Sequence, residues 1–73
     1  MNEQLFAPAR LMANFKEYIK QNEAYMTKTQ ALNAYYKVVS GSILSDRIAK
    51  NADLIQRMRN LEEAYQAVAK ETP

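Results

Sequence analysis

The 73 residues include no histidine and no cysteine. The commonest general base and the best thiol nucleophile are therefore missing, and no Cys/His zinc site can form. What could still do chemistry is sparse. Ser40, Ser42 and Ser45 cluster in one short stretch, but serine beside a helix end ordinarily caps backbone N–H groups, and no base lies near them. Glu62 and Glu63 form the one adjacent carboxylate pair. Neighbours on a helix point about 100° apart, so these two do not converge on a single proton. No phosphate-cradling glycine loop and no calcium-loop spacing occurs. The expectation is a protein that is not an enzyme and uses no metal or cofactor.

Binding chemistry has more to work with. Ten basic residues stand against eight acidic ones, a net charge of +2. Arg10, Lys16, Lys20, Lys28, Arg47, Lys50 and Arg57 are candidate phosphate contacts for RNA or DNA, but Asp46 and Asp53 dilute the stripe. A nucleic-acid groove ordinarily carries more uncompensated charge, so a mixed solvated face is the favoured reading. The five tyrosines, Tyr18, Tyr25, Tyr35, Tyr36 and Tyr65, are the more unusual feature. Tyrosine joins a large apolar body to a hydroxyl that needs a partner, which suits half-buried interfaces. From Ala24 to Ser40 only Lys28 and Lys37 are charged, fewer than a helix facing water along one side normally shows.

The elements that must position these groups are helices. One glycine and two prolines in the chain, with many Ala, Gln, Lys, Glu, Leu and Met residues, exclude a loop-rich or all-β fold. No uninterrupted apolar run exceeds three residues, so no segment suits a bilayer. The start, MNEQLFAPARLM, lacks a basic stretch followed by an apolar run, and a cytoplasmic protein is the expectation. Leu5 and Phe6 are large apolar groups in a lead, residues 1–7, expected to fray along with 71–73.

A seam at steps of three and four runs through Pro8, Leu11, Phe15, Tyr18, Asn22, Tyr25, Thr29, Leu32, Tyr36 and Val39. It returns as Leu44, Arg47, Asn51, Leu54, Met58, Leu61, Tyr65 and Val68, with Ile43, Ile48 and Ile55 widening the face. Such a rhythm marks helices packed along their whole length. Pro8 suits a first turn, and Gly41 falls where a left-handed cap would end a helix. Ser42 or Ser45 would then cap a second helix, with Asp46–Lys50, Asp53–Arg57 and Arg59–Glu63 paired four residues apart. The reading is all-α: an antiparallel hairpin of helices at about 8–40 and 43–70 joined by a turn at 40–42, in one domain spanning 1–73. A competing cut lies at Thr27–Gln30, which has the form of a capping box with Met26 before it. It would give three helices at about 8–25, 28–40 and 43–70. The continuous helix is favoured, because no Gly or Pro supports a turn there and the seam crosses in phase.

A chain this short, without disulfide or zinc, ordinarily completes its core through a partner. Asn22 and Asn51 interrupt the seam at matching positions, and a buried Asn can set register and oligomeric state. In an antiparallel dimer with its two-fold axis near Tyr25–Thr29 they fall level. That arrangement resembles the repressor-of-primer bundle, an RNA-binding dimer of hairpins, in topology alone; no motif residues are shared, and no function follows. The function expected is a non-catalytic protein–protein interaction module that self-associates or docks into a larger assembly, such as an adaptor, chaperone, inhibitor or minor structural subunit. Its candidate interface residues are Leu11, Phe15, Tyr18, Asn22, Tyr25, Tyr35, Tyr36, Asn51 and Tyr65. A hairpin dimer binding RNA or DNA is the alternative, and a membrane-lying helix is excluded for want of a strongly basic polar face.

Overall fold

The computed structural model describes residues 6–71, and these form three helices with no strand among them. Helix α1 is Pro8–Gln21, α2 is Lys28–Leu44 and α3 is Asn51–Lys70. The all-α reading holds. The continuous first helix does not: the chain breaks at 22–27, where the capping box is fully formed. The Thr27 hydroxyl accepts from the Gln30 N–H at 3.1 Å, and the Gln30 side-chain oxygen accepts from the Thr27 N–H at 3.0 Å. Thr27 itself is extended, at φ −71° and ψ 165°, as an N-cap residue must be. Asn22 closes α1, and its side chain donates to the Tyr18 carbonyl at 2.9 Å.

Burial is the physical reason for the break. Folding α1 back lays Leu11 and Phe15, 2% and 0% exposed, into a core with Leu32, Val39, Ile43, Leu61, Ala64 and Val68. A straight helix in a single chain would leave those two side chains in water. At roughly 1.5–3 kcal/mol for each large side chain buried, the gain exceeds what one uninterrupted turn of helix offers.

Gly41 is the second correction. It is no left-handed cap: no residue described has positive φ, and α2 passes through Gly41 to Leu44. Ser45 ends the helix, its N–H bonded to the Gly41 carbonyl at 3.0 Å. Ile43 is completely buried, and it can reach the core only if the helix continues past the glycine. Burial of one isoleucine overrides a capping preference.

The turn at 40–42 is accordingly replaced by a link at 45–50, built on Asp46. Its carboxylate accepts from the N–H groups of Ile48 and Ala49 at 3.0 and 3.2 Å, a side-chain turn typical of aspartate. The second helix begins at Asn51 rather than at 43. Lys50 stands at its N-cap with no side-chain bond, so neither Ser42 nor Ser45 caps it. Asp46 is not on α3 and does not pair with Lys50; it takes Arg57 instead, at 2.9 Å, in place of the expected Asp53–Arg57 pair.

Two contacts give the direction of α1. Phe6 lies under the Arg57 guanidinium, 5.0 Å from ring centre to charge, and Lys16 reaches Glu71 at 3.0 Å. Helix α1 thus runs parallel to α3, with α2 antiparallel to both. Phe6 packs against the core rather than fraying; Leu5 lies outside the described residues.

Candidate interaction surface

Five of the seven aromatic side chains form one connected string. Tyr18 and Tyr35 have ring centres 5.2 Å apart, Tyr35 and Phe15 4.9 Å, Phe15 and Tyr65 6.1 Å, and Tyr65 and Tyr36 5.2 Å. The Phe15–Tyr35 and Tyr36–Tyr65 pairs are edge-on, at 71° and 65°, where the positive ring edge meets the negative face. Two of the tyrosine hydroxyls have side-chain partners. Tyr65 donates to the Asn33 side-chain oxygen at 3.0 Å and Tyr36 to Glu62 at 3.1 Å. Burial, and then the Glu62 carboxylate accepting its proton, hold the Tyr36 hydroxyl above the usual phenol range.

Of the nine interface candidates, then, Leu11 and Phe15 lie in the chain's own core, Tyr35, Tyr36 and Tyr65 pack against it, and Tyr18 is half-buried beside Tyr35. Asn22 is half-buried at the end of α1, and Asn51 is exposed at the start of α3. Tyr25 stands apart. It is 85% exposed, in the link between α1 and α2.

On α2 and α3 an open apolar groove of about 350 Å³ is lined by Tyr36, Leu44, Leu54, Ile55 and Met58, with Arg59 and Glu62 beside them. Leu44 is 63% exposed and Ile55 54%. Ile48, in the 45–50 link, is 95% exposed. Widening of the apolar face by Ile48 and Ile55 was visible in the sequence; that the extra residues would face water was not, because it depends on which side α1 covers.

The basic residues do not gather. Lys16 pairs with the Glu71 carboxylate, and Lys28 donates to the Glu71 carbonyl. Arg47 and Lys50 lie in the 45–50 link, at the other end of α2 from Lys28, while Arg10 and Lys20 are exposed on α1. Arg57 is held between Asp46 and the Phe6 ring. That guanidinium, followed by the Ile48 and Ala49 N–H groups, keeps the Asp46 carboxyl below the usual carboxylate range. Among the described residues no three acidic, His or Cys side chains are placed to hold a metal ion. Two of the three cluster serines have hydroxyls with structural partners: Ser45 donates to the Ser42 carbonyl at 3.1 Å, and the Ser40 hydroxyl lies 3.9 Å from the Met58 sulfur. No helix described is long and apolar enough to cross a membrane.

Comparison with known proteins gives a concordant pair of matches. A family model described as YvfG protein matches residues 4–71. A Bacillus subtilis (strain 168) protein, described as uncharacterized protein YvfG, is 34% identical over 65 residues, covering 89% of each chain.

Proposed function

The chain belongs to the YvfG family, and we propose that it is a non-catalytic protein–protein interaction module that self-associates and serves a larger assembly as an adaptor, chaperone, inhibitor or minor structural subunit. The observation that carries this reading is the uncovered apolar surface: Leu44 and Ile55 lining the α2–α3 groove, with Ile48 exposed in the 45–50 link and Tyr25 at the opposite end of α2. Large apolar groups grouped on a surface, rather than scattered singly, mark contact sites. Size supports the same reading. A 73-residue chain with no cysteine has a thin core and gains stability by covering such surface with a second molecule.

Self-association is tested by measuring mass by light scattering, together with thermal unfolding, across a dilution series. The expected result is a dimer or larger species at micromolar concentration, with a melting temperature that rises with concentration. A monomer whose melting is indifferent to dilution overturns the self-association reading. The nucleic-acid alternative has less support, since the basic groups are divided between the two ends of the bundle and two of them converge on Glu71. Changing Lys16 and Lys20 together to Glu is accordingly expected to leave association intact.

A further inference from the structure

Nothing inside this chain requires a glycine at position 41. Gly41 lies within α2 without positive φ, and a methyl added there meets nothing within 4 Å. Glycine inside a helix is less stable than alanine, so neither the backbone nor the packing of the monomer accounts for it. By helical spacing Gly41 stands between Lys37 and Leu44, on the outer edge of the α2–α3 groove. There, flanked by Ser40 and Ser42, it lowers the wall that α2 presents, and a backbone from outside can come close.

The groove beside it has the dimensions of a seat for a helix. Tyr36 and Leu44 on α2, and Glu62 and Ile55 on α3, give it a length of about two turns, roughly 12 Å. Its walls meet where the Ser40 hydroxyl lies 3.9 Å from the Met58 sulfur. An open apolar channel between two antiparallel helices accepts a further helix, whose apolar residues at i, i+3 or i+4 and i+7 lie in the channel while its polar face stays in water. Leu44 and Ile55, both more than half exposed, are the surfaces such residues cover.

Charge selects the occupant. The two charged side chains lining the groove are Arg59 and Glu62. Glu62 is already engaged: one carboxylate oxygen accepts from the Tyr36 hydroxyl at 3.1 Å, the other from the Gln66 amide at 2.8 Å. Arg59 is not. Its expected pair with Glu63 is not formed, and the ion pairs among the described residues use Lys16 and Arg57. Lys37, exposed on the α2 side, is likewise outside those pairs. The unpaired charge beside the groove is therefore cationic on both walls. A second copy docked about a two-fold axis through the groove turns Arg59 toward its own counterpart, whereas a carboxylate on a different chain complements it.

Resting on the interaction-module reading, we propose that the α2–α3 groove seats an acidic amphipathic helix of a different protein. Its apolar residues cover Leu44, Ile55 and Met58, its backbone passes over Gly41, and a carboxylate beside its apolar stripe meets Arg59. The groove is at the end of the bundle away from Tyr25, so a helix seated there does not obstruct contacts made at the Tyr25 end.

Two synthetic helices test this against the isotope-labelled full chain by amide NMR titration. One is a lactam-bridged peptide of about 16 residues, long enough to hold a helix, with leucines at i, i+3 and i+7 and glutamates on both flanks. The other carries lysines in place of the glutamates. The acidic helix should shift the amides of residues 41–44 and 55–59, with a Kd below about 1 mM. The basic one should bind about fivefold more weakly or worse. Arg59→Glu, at an exposed position, should reverse the preference. Gly41→Gln should weaken acidic-helix binding while thermal stability is kept or raised, since glutamine is the better helix former.

Groove amides that respond to neither helix, or equal affinity for both, overturn the proposal. So do groove shifts that appear on concentrating the chain alone, which assign the groove to a second copy. Light scattering is read separately, so docking can fail while self-association stands. A chain that is monomeric throughout yet takes the acidic helix with the expected charge preference supports the docking and overturns self-association alone.

Discussion

Thr27 and Gln30 cap one another: each side-chain oxygen accepts the other residue's backbone N–H, at 3.1 and 3.0 Å. This reciprocal pair starts α2 and so allows α1 to fold back onto α3. Replacing Thr27 with Ala is expected to destabilise the monomer by about 1 kcal/mol. The Thr27→Ala and Gln30→Ala effects should be non-additive by roughly 0.5 kcal/mol or more, since both belong to one motif. Urea unfolding at concentrations low enough to hold the chain monomeric measures this directly.

Asp46 ties the 45–50 link to α3 through Arg57 and to its own backbone through Ile48 and Ala49. Its folded pKa is lowered, chiefly by the Arg57 hydrogen bond. The stability this contributes is present above the unfolded aspartate value of about 3.9 and is lost as pH falls through the folded value. Asp46→Asn should flatten the fall in melting temperature below about pH 4 relative to wild type. An unchanged acid profile would mean that the pairing carries no weight in solution.

Tyr36 behaves in the opposite sense. Burial first, and the hydrogen bond to Glu62 second, raise its pKa, so the neutral hydroxyl is the form the fold favours. That contribution is intact below the unfolded value of about 10 and disappears as pH rises through the folded one. Ultraviolet titration of the phenolates should show one tyrosine ionising late. Tyr36→Phe should remove that late component, and Glu62→Gln should move it toward the ordinary value.

Phe15 fills the centre of the bundle, fully buried and edge-on to Tyr35. Phe15→Ala should cost about 3–5 kcal/mol, a large share of the stability of a domain this small. Loss of cooperative thermal unfolding by circular dichroism is the expected outcome. Gly41→Ala should act the other way. Gly41 is helical and an added methyl there meets nothing within 4 Å, so a gain of about 0.5–1 kcal/mol is expected.

The sequence by itself determined the helical class, the scarcity of catalytic groups and much of the core. Leu11, Phe15, Leu32, Val39, Leu61 and Val68 all lie on the seam read from spacing alone, and all are buried. The Thr27–Gln30 box was legible as a competing start and is the start observed. What only the tertiary structure decided was where the chain turns and which apolar residues stay outside. Local signals such as a glycine cap or a missing breaker carry about 1 kcal/mol, and burial of a large side chain such as Ile43 or Phe15 carries more. Ile43 therefore draws α2 through Gly41, and Phe15 draws α1 back across the break. Which side α1 then covers leaves Leu44, Ile48 and Ile55 facing water. Spacing along one helix cannot specify that, because it depends on where a third helix comes to rest.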